Sequence, residues 1–73
     1  MMAIIAVAAR TKRARIKCGW TIPDLAEHSG LGRNHIYKIE NGDRGNIRIE
    51  TLVILATTLG VSADWLLGLT SKP

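Results

Sequence analysis

Three side chains able to read the edge of a base pair, Arg33, Asn34 and Lys38, fall within one short helical stretch of this chain. A guanidinium pairs two donors with guanine O6 and N7. A carboxamide pairs a donor and an acceptor with adenine, and an ammonium reaches the guanine acceptors. All three residues lie in the segment from Thr21 to Gly42, TIPDLAEHSGLGRNHIYKIENG, which has the pattern of two short helices around a glycine-bearing turn. Tyr37 stands beside Lys38 on the same side; it is a candidate for a phosphate or thymine-methyl contact, or for simple surface packing.

Such side chains are useful only on a helix that is held in place. Thr21 is a good N-cap and Asp24 follows at capping-box spacing. Pro23 sits in the first turn, where its missing N–H is not needed. Trp20 and Leu25 can form a hydrophobic staple. This helix ends near Ser29, Ala26 is small enough for a close helix crossing, and Gly30 supplies a turn residue tolerant of positive φ. The next helix is expected from Arg33 to Asn41, with Leu31, Ile36 and Ile39 facing inward and Asn41-Gly42 ending it.

Three more helices are expected around this pair. The first runs from about Ile4 to Cys18, where Ile4, Val7, Ala8, Thr11, Ala14 and Cys18 make a weakly apolar face. After a polar loop from Asp43 to Arg48, another runs from Ile49 to Leu59 on a stripe of Ile49, Leu52, Leu55, Ala56 and Leu59, and Gly60 stops it. Ser62 caps a short last helix through Leu67, with Asp64 in its first turn, and the final residues are expected to fray. No β pattern, repeat or linker appears. The reading is a single all-α domain of five helices over residues 1–73, with its core from about 7 to 67.

Composition narrows the function classes. At 73 residues and 47% hydrophobic the chain is a small folded domain, and with Trp20, Tyr37 and Trp65 as its only aromatic residues the core must be aliphatic. A net charge of +4 favours a polyanionic partner. Arg10, Lys12, Arg13, Arg15 and Lys17 crowd one segment; some of Arg10, Lys12, Arg13 and Lys17 are expected to face that partner, with at least half of them solvated, because one helix cannot aim all of them the same way. Cys18 is the single cysteine, so no internal disulfide forms, and His28 and His35 lack partners at metal-site spacing. No metal or cofactor is expected. His28 reads as a plain surface histidine and His35 as one near the backbone or a buried edge. The apolar start, MMAIIAVAAR, is too short to span a membrane and its charges follow the apolar run, unlike a signal peptide. It reads as the start of a helix, with a membrane-surface anchor as the lesser alternative. A cytoplasmic location is expected. No nucleophile–base pair, phosphate loop or metal cluster supports an enzyme.

Taken in order and at their spacing, Gly19, Leu25-Ala26, Gly30, Ile36, Glu40-Asn41-Gly42, Glu50-Thr51-Leu52, Leu59-Gly60-Val61-Ser62 and Asp64-Trp65-Leu66-Leu67 resemble the phage repressor and Cro-type helix-turn-helix family, from about Val7 to Leu67. The resemblance implies a five-helix DNA-binding domain whose second motif helix enters the major groove. It puts Arg33, Asn34 and Lys38 at the base-reading positions and assigns phosphate contacts to Thr21, Arg44, Asn46 and Arg48. It also implies a structural brace between Arg15 and Glu40. Three positions depart from the family pattern. Ile22 replaces a phosphate-holding Gln, Gly32 replaces a Ser, Thr or Asn cap, and Ile47 stands where Pro is usual. These departures bear on phosphate contacts and docking angle more than on the fold.

The leading expectation is a sequence-specific regulator of transcription, a repressor that binds a near-palindromic operator as a homodimer. Ile4 and Ile5, or Trp65 to Leu69, would supply a small interface. The alternative is an antitoxin or a restriction-system controller built on the same domain, with a toxin as protein partner in the first case. A protein-interaction or membrane-surface module without DNA function is the third reading.

Overall fold

The structure, a computed structural model, describes residues 2–43 and 47–73. Five helices follow in order: α1 Met2–Lys17, α2 Ile22–Ser29, α3 Arg33–Glu40, α4 Ile49–Leu59 and α5 Ala63–Leu66. No strand occurs among the described residues.

Local chemistry accounts for where these helices begin and stop. Thr21 accepts a hydrogen bond from the Asp24 amide while the Asp24 carboxylate accepts one from the Thr21 amide, so α2 opens on a complete capping box. Ser62 caps α5 by accepting from the Trp65 amide. Gly30 closes α2 in the left-handed region at φ 78°, where a side chain would be strained, and its amide donates to the Ala26 carbonyl.

The core lies where the helices meet. Leu25 of α2, Ile36 of α3, Leu55 of α4 and Leu66 of α5 are fully excluded from solvent, and Val7 and Ala14 of α1 join them. α1 packs on α3, α4 and α5, while α2 bridges α3 and α4. Burying one such aliphatic side chain contributes about 1.5–3 kcal/mol. A chain this small therefore depends on all of them.

α3 ends at Glu40, with Asn41 as its cap and not its last residue, and four further details differ from the sequence expectation. α1 begins two residues earlier than Ile4, at Met2, and stops before Cys18, which is exposed. In α4, Ile49 is 76% exposed and Thr51 takes its place in the core at 6%. At about 100° per residue, Thr51 lies 40° from Leu55 and Ile49 lies 120° away, so the stripe centres on Thr51, Leu55 and Leu59. α5 ends at Leu66, with Leu67 as its cap.

The fourth difference concerns the residues after α5, which are tied down and not frayed. Arg10 Nη1 donates to the carbonyls of Trp65 and Thr70, both at 2.6 Å, and its guanidinium lies 5.0 Å from the Trp65 ring centre. The Ser62 amide donates to the Pro73 carbonyl at 2.9 Å. Gly68, at φ 80°, lets the tail lie on α1 so closely that a Cβ there would stand 2.9 Å from the Ala6 Cβ.

Candidate nucleic-acid interface

The position of α3 is decided from behind. Ile36 and Ile39 are 0% and 4% exposed and fix one face of the helix in the core. Arg33, Asn34, Tyr37 and Lys38 are exposed on the other face. At about 100° per residue, these four span an arc of roughly 140° whose centre lies opposite the midpoint between Ile36 and Ile39. Tyr37, 57% exposed, falls within that arc and not at the edge of the core. His35, half-buried, lies between the two faces.

The turn that sets the angle between α2 and α3 is built from small groups. Ser29 Oγ accepts from the Leu31 amide, and Leu31 packs against the core after the Gly30 reversal. Gly32 precedes α3 in extended backbone and gives no side-chain cap.

A second attachment holds the far end of α3. Arg15 Nε donates to Glu40 Oε2 at 2.8 Å and Nη2 donates to Oε1 at 2.9 Å, a two-pronged pair. Nη1 donates to the Trp20 carbonyl at 2.9 Å. One guanidinium thus joins α1, the α1–α2 connection and the last residue of α3. The side chains are 11% and 4% exposed, so the pair is largely screened from water. The hydrogen bonds that Arg15 donates to Glu40 push its pKa further up, against the opposing effect of burial. Glu40 stands at a helix C-terminus, where a carboxylate faces the negative end of the dipole; Arg15 offsets this. The two residues expected to brace the domain are therefore brought together.

Of the residues expected to hold phosphates, Thr21 and Arg48 are exposed. Arg44 and Asn46 lie outside the described residues. The Thr21 hydroxyl accepts from the Asp24 amide and also interacts with the Asp24 carboxylate, so holding a phosphate would require its O–H to turn outward. The amides of Thr21 and Asp24 are bonded within the capping box and Pro23 has none, so few first-turn amides of α2 remain to receive a phosphate. Asp24 itself is held below the ordinary carboxylate value, first by the Thr21 amide and then by the Thr21 hydroxyl. Arg48 occupies the N-cap position of α4 with extended backbone and no side-chain cap bond.

Two contacts were not legible in the sequence. The rings of His28 and Trp20 stack at 4.2 Å with 14° between planes, although His28 is exposed as a surface histidine should be. The pair is eight positions apart, and only the capped turn before α2 brings it together. Arg10, grouped in the sequence with cations that could face a polyanion, is spent on Trp65 and the tail. Among the described residues no three His, Cys, Asp or Glu side chains gather as a metal site, and no helix is long and apolar enough to cross a membrane.

Comparison with known proteins agrees with this geometry. A helix-turn-helix family profile matches residues 12–66. The crystal structure of the hypothetical transcription factor NHTF from Neisseria superposes with a TM-score of 0.82 at 31% sequence identity, covering 89% of this chain and 74% of that one.

Proposed function

Because the chain belongs to the Cro/C1-type helix-turn-helix family, whose members are DNA-binding regulators, we propose that it represses transcription by binding a near-palindromic operator as a homodimer. Family membership places the chain among DNA-binding regulators and not among enzymes. The observation that carries the finer reading is the outward arc of α3, held by Ile36, Ile39 and the Arg15–Glu40 pair. A helix held by its buried face and its C-terminal end, and polar on the other face, is preorganised for the major groove.

In this reading Arg33 reads guanine, Asn34 reads adenine and Lys38 reaches guanine acceptors, each good bidentate contact discriminating by about 1–3 kcal/mol. Tyr37, within the same arc, packs on a thymine methyl or a phosphate. The Thr21 hydroxyl and the Arg48 guanidinium grip the backbone on either side, with Arg44 and Asn46 assigned the same role from the sequence. These contacts set register without reading sequence. The protein works in the cytoplasm, and repression follows from occlusion of the polymerase.

One α3 helix reads too few base pairs for useful specificity, so a second copy is needed, with half-sites roughly 34–36 Å apart. The molecule measures 27 × 25 × 19 Å, a size that lets neighbouring copies present α3 at successive turns of one duplex face. Trp65 and Leu66 are consumed by the core and cannot serve as an interface. Ile49 and Val53, one turn apart on α4 and 76% and 53% exposed, are better placed, because α4 follows α3 directly and keeps the two-fold axis near the reading helices.

Selection of bound sites from random DNA tests the assignment. The parent should enrich a two-fold repeat, and Arg33→Ala should lose preference at one base pair per half-site. An Arg33→Ala protein with an unchanged site would show that α3 does not read bases through this residue.

A further inference from the structure

The cations on the far side of α1 have no role in that reading. Arg10, Arg13 and Lys17 line a cleft of about 500 Å³, a volume typical of small-molecule sites. Its wall is formed by Ala14, Leu59, Val61 and Trp65 together with the tail at Ser71 and Pro73, whose carboxyl end is held at the Ser62 amide, and no aspartate or glutamate side chain lines it. At about 100° per residue, Arg13 and Lys17 point roughly 160° away from Arg15, the α1 residue that braces α3. The cleft therefore lies on a different side of the molecule from the α3 arc.

The three cations are not equivalent. Arg10 is anchored by two carbonyls and the Trp65 ring, which holds its charge at one place on the wall. Arg13 and Lys17 have no ion pair among the described residues. As like charges four positions apart on one helix face they repel each other. Lys17 lies in the last turn of α1, where a cation offsets the helix dipole; Arg13 is one turn earlier and has no such duty. The carbonyls of Ala56 and Thr57 at the end of α4 are taken by the Gly60 and Val61 amides, so these acceptors are not left open to oppose an anion in the cleft.

We propose that this cleft binds a small organic oxyanion: a carboxylate or phosphate carried on an apolar ring. The oxygens would sit between Arg13 and Lys17, and the ring would lie against Leu59, Val61 and Trp65. Charge-assisted hydrogen bonds supply orientation and the wall supplies burial. The site stands on its own geometry and does not depend on how α3 meets DNA.

The test titrates the isotope-labelled full chain with benzoate, phenyl phosphate, inorganic phosphate and benzyl alcohol, following backbone amide shifts. Benzoate or phenyl phosphate should move the amides of Cys18, Gly60 and Val61 saturably. Inorganic phosphate and benzyl alcohol, each carrying half the chemistry, should bind at least about tenfold more weakly. The double variant R13Q/K17Q changes two exposed residues and should keep the parent spectrum, while its Kd for the ring anion rises about tenfold or more, as expected when charged hydrogen-bond donors are lost. Shifts that never saturate, or that spread alike over every basic residue, would overturn the site. So would a double variant that binds the ring anion as the parent does but loses affinity for a random-sequence duplex, since Arg13 and Lys17 would then be DNA backbone contacts.

Discussion

Thr11 carries a hydroxyl into the centre of the core, fully excluded from solvent, and its Oγ1 has no hydrogen-bond partner among the described residues. A buried polar group left unpaired costs about 1–3 kcal/mol. Valine has nearly the same shape and the same branching at Cβ. Thr11→Val should therefore stabilise the protein by about 1 kcal/mol, read as a higher urea midpoint at unchanged slope. A lower midpoint would mean that the hydroxyl is satisfied in solution. Asp24 gives the second prediction at this scale. Its pKa lies below the ordinary 3.8 because the charged form accepts hydrogen bonds from Thr21. A depressed carboxylate supports the fold above its unfolded pKa, and that support is lost as pH falls through the folded value. The carboxyl resonance of Asp24 should titrate with a midpoint below 3.8, and the start of α2 should loosen only in that acid window. A midpoint at or above the ordinary value would contradict the capping box.

At the scale of elements, the orientation of α3 rests on two kinds of attachment. Ile36 and Ile39 resist displacement by burial alone, which is non-directional. The Arg15–Glu40 pair adds direction, because a two-pronged contact has one good geometry. Glu40→Ala would leave a largely buried guanidinium without its partner, which costs about 3 kcal/mol. The expected outcome is a lowered Tm together with a loss of operator affinity larger than the fraction unfolded explains. If affinity per folded molecule were unchanged, the pair would support the fold without aiming the helix. The same logic explains the other end of α1. Arg10 and the close approach of Gly68 to Ala6 bind the tail to the first helix, so chain segments far apart in sequence share one attachment.

For the whole molecule, a net charge of +4 predicts DNA affinity that falls steeply with salt, as released counterions require. The dimer is the more discriminating question. Ile49→Glu places a charge on an exposed apolar position outside the core, so the fold should survive with a Tm near the parent's. Cooperative binding to a two-site operator should fall by about tenfold or more, equivalent to about 1.4 kcal/mol, while binding to an isolated half-site stays unchanged. Equal loss on both DNAs would move Ile49 from the dimer contact to the DNA contact.

How much of this was legible in the sequence depends on the range of the interaction. The capping box at Thr21, the Gly30 turn, the Ser62 cap and the five helices follow from neighbours a few positions apart, and local hydrogen bonding and backbone sterics decide such features without help from the rest of the chain. The Arg15–Glu40 pair was foreseen only through resemblance to a family, since nothing in the spacing of those two residues announces a contact across 25 positions. Where several arrangements were locally acceptable, packing chose among them. Ile49 and Thr51 could each have faced the core as α4 turned, and the packing of the helices set the stripe on the face of Leu55 that buries the threonine. By spacing alone Arg10, Arg13, Arg15 and Lys17 form one basic run, and only the family resemblance set Arg15 apart. Tertiary structure sent Arg15 to α3 and the other three to a cleft, with Arg10 also tied to the tail, because a helix distributes adjacent residues around its whole circumference. The sequence by itself determined the capped helices and the polar face of α3; which element each charged side chain would meet was decided only when those helices packed.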